Sequence, residues 1–229
     1  VAAPDPHIHA PADHRRIARV AGVLYLVIII CGVWSEGFAR ASLITPGDAA
    51  ATLAGLKTGL ALFRLSLVAD TLMALADVTL AVVFLYLLAP VGSLLALLAT
   101  ALRLVQAATI TVGLVLLTGI FALVERGDAN AVLGLTGMHA NAYDIGLIFF
   151  GANSLVMAIL LRRAGGVPTA LCWAIAASGL VYLTGSYLRL LVPPLHAGFQ
   201  IAYLLPLLAE TALCLWLLIV GRVYPAASR

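Results

Sequence analysis

With 63% hydrophobic residues, 10% charged residues and a mean hydropathy of +1.11 over 229 positions, this chain is too apolar to have water as its main solvent. A net charge of +3 without any run of lysines or arginines excludes a phosphate-gripping, nucleic-acid-binding surface. Cys31, Cys172 and Cys214 lie in apolar stretches with no C-x-x-C and no zinc-like spacing, so they read as free, buried thiols.

Residues 1–16, rich in Pro, Ala and His, carry no apolar period and are expected to form a disordered cytoplasmic leader. Its His7, His9 and His14 fit a solvated tail better than a metal site. The first apolar run starts at Ile17 and is too long for the core of a signal peptide, so it is expected to stay as a membrane helix. Residues 17–222 are expected to hold six transmembrane helices, followed by a short cytoplasmic tail at 223–229. Their expected limits are Ile17–Phe38, Ala61–Ala89, Ser93–Val124, Met138–Leu161, Val167–Leu191 and Phe199–Val220. Ala89-Pro90-Val91-Gly92-Ser93 reads as a tight turn, and Pro193-Pro194 ends the fifth helix. Thr45-Pro46-Gly47-Asp48 resembles a helix start, which predicts a short interfacial helix over 49–60 between helices 1 and 2.

Orientation follows from the basic residues beside the spans. Arg15, Arg16, Arg19, Arg162, Arg163, Arg222 and Arg229 flank one side, and Arg40, Lys57 and Arg126 the other, which places both termini in the cytoplasm. The reading is an all-α, multi-pass bundle in a bacterial inner (plasma) membrane, with lipids as its first partners.

Five carboxylates fall inside the apolar stretches: Glu36, Asp70, Asp77, Asp144 and Glu210. Each costs roughly 2.5–3.5 kcal/mol at mid-helix unless it is paired, hydrated or functional. The second and third spans run antiparallel across a tight turn, which brings Asp77 and Arg103 to the same depth and predicts a structural ion pair, with Gln106 on the arginine's face. His139, Asn141, Tyr143 and Asp144 sit in the outer third of the fourth span, with Asn153 deeper. Tyr182, Ser186 and Arg189 make a stripe on the fifth, and Tyr203, Pro206, Glu210 and Cys214 another on the sixth. Glu36, Arg64 and Arg189 lie near enough to the boundary to snorkel. The five carboxylates face three arginines, Arg64, Arg103 and Arg189, which leaves an excess of two negative charges if all ionise. A protonated carboxyl, a cationic His139, water, or a cationic ligand must balance it. Glu210 is the hardest to explain as structure: it is central, has no cation on its own helix, and follows Pro206, whose kink would free a backbone carbonyl beside it.

No His pair for haem, no H-E-x-x-H, no G-x-S-x-G and no phosphate-binding glycine loop occurs. The candidate ligand- or ion-binding residues are therefore Glu210, Asp144, Asp70, His139, Asn141, Tyr143, Arg64, Arg189 and Glu36, with no catalytic, metal or cofactor assignment.

Ala21-Gly22-Val23-Leu24-Tyr25 running to Glu36, Phe63-Arg64, Arg103-Leu104-Val105-Gln106-Ala107, Tyr143-Asp144-Ile145-Gly146-Leu147-Ile148-Phe149-Phe150-Gly151, and Glu210 followed by Leu213-Cys214-Leu215-Trp216-Leu217-Leu218 together resemble one family of bacterial membrane proteins, domain of unknown function 4386. The resemblance covers about Ile17 to Arg222, with Tyr-Asp-Ile-Gly-Leu its most specific piece. It implies a multi-helix integral membrane protein and supplies no activity, cofactor or catalytic residue. The first expectation for function is a carrier or binder of a small molecule, proton- or cation-linked, in a polar cavity of the outer bilayer half. A structural or accessory subunit whose charges only fasten helices is the alternative. A lipid-modifying enzyme comes third, for want of a nucleophile–base constellation.

Overall fold

The computed structural model describes residues 11–225, and every regular element among them is helical. In chain order these are α1 (Pro11–Gly32), continued as a π-helix (Val33–Arg40), α2 (Ala49–Thr58), α3 (Leu60–Thr118), α4 (Ile120–Arg126), α5 (Ala129–Ala164), α6 (Thr169–Leu191), α7 (Pro193–Phe199) and α8 (Leu204–Leu215). A 3₁₀ turn (Gln200–Tyr203) precedes α8 and a π-turn (Trp216–Val220) follows it. Five segments are long and apolar enough to cross a membrane: Asp13–Arg40, Leu60–Arg126, Ala129–Ala164, Thr169–Leu191 and Pro193–Val220.

The second of these is not one rod. A straight 59-residue helix would reach about 90 Å at 1.5 Å per residue. Instead the helical dihedrals break at Gly92, just after Pro90, and the chain doubles back. Thr100 Oγ1 then lies 3.4 Å from the Ala81 carbonyl, and Arg103 reaches Asp77. The break falls where the sequence predicts a turn.

Other boundaries move. Residues 11–16, assigned to the leader, are the first turns of α1, while residues 1–10 lie outside the described residues. Helix α5 starts at Ala129, not Met138, because Asp128 caps it by accepting from the Ala131 N–H at 3.0 Å. The third span ends its regular helix at Thr118, and α4 continues to Gly127, which takes the left-handed conformation (φ 73°) that lets the chain turn into α5. The expected helix over 49–60 is α2, capped by Asp48 at 2.9 Å. It does more than lie on a surface: Thr52 and Leu56 are fully buried, and α2 closes that end of the bundle against α5. Pro206 falls in the first turn of α8, directly after the 3₁₀ turn Gln200–Tyr203, where its missing N–H leaves no intrahelical bond unmade.

The long helices form a ring. Helix α1 packs on α3 and α8, α3 on α5, α5 on α6, and α6 back on α8. Glycines set the closest approaches: a Cβ on Gly151 would lie 2.8 Å from the Gly179 carbonyl oxygen, and one on Gly179 would lie 2.7 Å from that of Gly151. Small residues let helices meet in this way without a hydrophobic drive from lipid. Two apolar cores result. One, at the Gly92 end, joins Leu80, Phe84, Leu87, Met157, Leu160, Leu213 and Leu217. The other joins Leu56 of α2 to Phe63, Leu117, Ile120 and Val132 at the opposite, Glu36 end. The C-terminal segment seals the first core, with the Gly166 N–H donating to the Val223 carbonyl at 2.8 Å and the Tyr224 hydroxyl donating to the Leu87 carbonyl at 2.6 Å.

Candidate ligand cavity

Among the described residues, ion pairs centred on three arginines fasten the ring. Arg103 lies on Asp77, with Nε donating to Oδ1 at 2.8 Å and Nη2 2.5 Å from the same oxygen. Both side chains are about 4% exposed, and the guanidinium sits between the faces of Tyr25 and Phe150, 5.5 and 5.2 Å from their centroids. This pair is the contact that the antiparallel register predicts. Asp144 pairs with Arg189 at 2.7 Å, joining α5 to α6.

The third pair rests on an arginine that the sequence reading leaves outside the membrane. The wider π-helix from Val33 to Arg40 carries Ser35, Glu36 and Arg40 inward together. Arg40 is 2% exposed; it donates to Asp70 Oδ2 at 2.5 Å, Glu36 Oε1 at 2.6 Å and Ser66 Oγ at 3.1 Å. The Ser35 hydroxyl also donates to Asp70. Arg40 therefore belongs to the interior. Arg64, counted there from sequence, is exposed and lies over the Phe121 ring at 5.2 Å.

Glu36 is not simply satisfied at a boundary. His139 Nε2 lies 2.8 Å from its Oε1, so Nε2 carries the proton in that contact, and the buried Nδ1 has no partner. Gly113 makes room for the ring, since a Cβ there would stand 3.1 Å from Nδ1.

Between the two cores lies a cavity of about 360 Å³. Its wall is mostly apolar or aromatic, with Ile28, Met73, Ile110, Leu147 and Phe150 prominent. Its polar groups are Glu36, Tyr143 and Tyr203 toward one end, and Asp77, Arg103, Gln106, Tyr182 and Glu210 deeper. The Tyr182 hydroxyl donates to Glu210 Oε1 at 2.6 Å, and no basic side chain makes an ion pair with Glu210 among the described residues. Asp77 Oδ2, Gln106 Oε1 and the Tyr203 hydroxyl are buried without hydrogen-bond partners.

The structure thus gathers Glu210, Glu36 and Tyr143 on one cavity, with His139 and Asp70 behind Glu36. It puts Asp144 and Arg189 in a separate pair and leaves Asn141 exposed. Sequence reasoning missed Arg40, Ser35, Ser66 and Tyr25. The Glu36–Arg40 spacing of four, with no glycine or proline after Gly37 until Pro46, was a legible sign that the helix carries on past Phe38. Five carboxylates still face three arginines, but the third is Arg40, not Arg64. The two surplus charges fall at the Glu36–His139 contact and at Glu210.

The family model described as domain of unknown function (DUF4386) matches residues 20–221. The chain belongs to the DUF4386 family. No curated protein and no solved structure matches it. Membership in DUF4386 and five membrane-length apolar segments make this a multi-pass membrane protein, as the residues quoted for the resemblance imply.

Proposed function

We propose that this DUF4386 protein crosses a bacterial inner membrane six times, with both termini cytoplasmic, and binds a small apolar molecule bearing a cationic group. The observation that carries the reading is Glu210: a carboxylate on an apolar cavity of about 360 Å³, held by a tyrosine hydroxyl and by no basic partner. That volume lies in the usual range for small-molecule sites, about 300–1,000 Å³. A cation entering the cavity pairs with the Glu210 carboxylate, and the rings of Tyr182 and Tyr203 line the same space. The six passes are Asp13–Arg40, the two limbs of α3, and the three apolar segments that follow. The Gly92 end carries Arg15, Arg16, Arg19, Arg162, Arg163 and Arg222; at the other end Arg40 is withdrawn into the interior and exposed Arg64 joins Lys57 and Arg126, so the basic bias toward the Gly92 end stands.

The accessory-subunit reading accounts for Asp77, Asp70 and Asp144, each already fastened by an arginine. It gives Glu210 no task. The test is titration of octylammonium into the protein in phosphatidylcholine nanodiscs, followed by its thermal stability. Wild type should show saturable stabilisation that Glu210→Gln loses while keeping its fold. Equal stabilisation of the two, or none in wild type, contradicts the reading.

A further inference from the structure

The ring of helices is not closed evenly. At the Gly92 end α1 and the C-terminal helix touch: Cys214 Sγ lies 3.4 Å from the Gly22 carbonyl oxygen, and a Cβ on Gly22 would stand 2.8 Å from Leu218. Toward the Glu36 end they part. Among the described residues, the π-helix Val33–Arg40 makes no backbone approach to α6, α7 or α8, although α1 before it packs on α8.

The cavity reaches the bundle's exterior in this gap. Val33 and Leu207, on opposite sides of it, both line the cavity and are 41% and 42% exposed, and Gly37 beside Val33 is exposed too. Neighbouring Phe38, Leu204 and Leu208 are exposed apolar residues on the same two elements, so the rim faces hydrocarbon, not water.

Resting on the cavity reading above, we infer that the ligand is a long-chain cationic amphiphile. Its charged head sits against Glu210, and its hydrocarbon tail leaves sideways between the π-helix and α8 into the lipid. The charge argument selects the head: Glu210 makes no ion pair and a cationic head supplies one, while the charges of Asp77 and Arg103 offset each other. The gap fixes the tail, because an apolar chain extending through it stays among Val33, Leu207 and lipid.

Gly37 gives a clean test. Gly37 lines the cavity and a Cβ there meets nothing within 4 Å, so Gly37→Trp fits on the backbone and adds bulk at the gap. The probes are nitroxide-labelled octadecylamine in phosphatidylcholine vesicles, read by the motionally restricted fraction that unlabelled octadecylamine displaces, and octylammonium as the short-chain control. Gly37→Trp should weaken octadecylamine by about tenfold or more, a loss of the size that one blocked contact region gives. Octylammonium, small enough to be enclosed, should lose much less than octadecylamine does, and the melting temperature of the variant reports an intact fold; Val33→Trp should repeat that difference. Glu210→Gln should lose both probes. If Glu210→Gln loses both but neither gap variant affects octadecylamine, or if wild type takes only the short chain, the lateral tail is wrong while the cavity stands. If Glu210→Gln binds both, the cavity reading falls with it.

Discussion

Arg103→Met removes the cation from the best-defined pair in the bundle. Asp77 and Arg103 are each about 4% exposed, so the aspartate left behind is a buried charge without its counter-ion, and its Oδ2 already lacks a partner. Breaking a buried pair by deleting one member costs about 3–5 kcal/mol, or roughly a hundred- to several-thousand-fold in the folding equilibrium. The Tyr25 and Phe150 faces lose their cation as well, at about 0.5–2 kcal/mol each if fully desolvated, although methionine returns part of this through sulfur–aromatic contact. The double variant Asp77→Leu/Arg103→Met leaves no charge behind and should recover most of the loss. Reversible unfolding in mixed micelles, run on wild type, both single variants and the double, measures the coupling directly. A single-variant loss under about 1 kcal/mol, or a double variant as unstable as the sum of the singles, would refute the reasoning.

The other consequences can be checked in the same preparations. Arg40→Met strands the buried Asp70 and leaves Glu36 with His139 alone, and should destabilise by about 3–5 kcal/mol, whereas Arg64→Met, on an exposed residue, should stay within about 0.5 kcal/mol. Gly179→Leu drives a side chain into the Gly151 carbonyl and should lower the melting temperature, with overpacking costing about 1–3 kcal/mol; Gly134→Ala, where a Cβ meets nothing, is the neutral control. Tyr224→Phe removes the hydroxyl that holds the C-terminal segment on Leu87, and should cost about 1 kcal/mol and speed hydrogen exchange at Gly166. Burial pushes the Tyr224 hydroxyl up from its ordinary 10, so the folded state holds that proton more tightly than the unfolded one. Its contribution should therefore be full below about pH 10 and decline as the pH rises above it, a slope that Tyr224→Phe lacks.

What could be read from the sequence was what local chemistry decides. A five-residue connection containing proline and glycine forces antiparallel neighbours, and that alone puts Asp77 beside Arg103. Asp48 and Asp128 cap helices as their positions allow, though only the first was foreseen. The helix ends were harder. Arg40 looked like a loop charge because the apolar run stops at Phe38, yet the π-helix extends one more turn and its burial is repaid by three partners. Pairing across α5 and α6 was also hidden: Asp144 and Arg189 were both placed toward the outer side, but depth alone does not say which helices adjoin. Glu210 stood out for the reason that still holds, a central carboxylate with no cation of its own.

The most direct measurement is a structure of the protein extracted with its native lipid, inspected at Glu210. The account predicts non-protein density in the cavity, with a polar end within hydrogen-bonding distance of the Glu210 carboxylate and a tail passing between Val33 and Leu207. A dry, closed cavity with Glu210 drawn onto Arg103, or Glu210 turned out toward lipid, would contradict it.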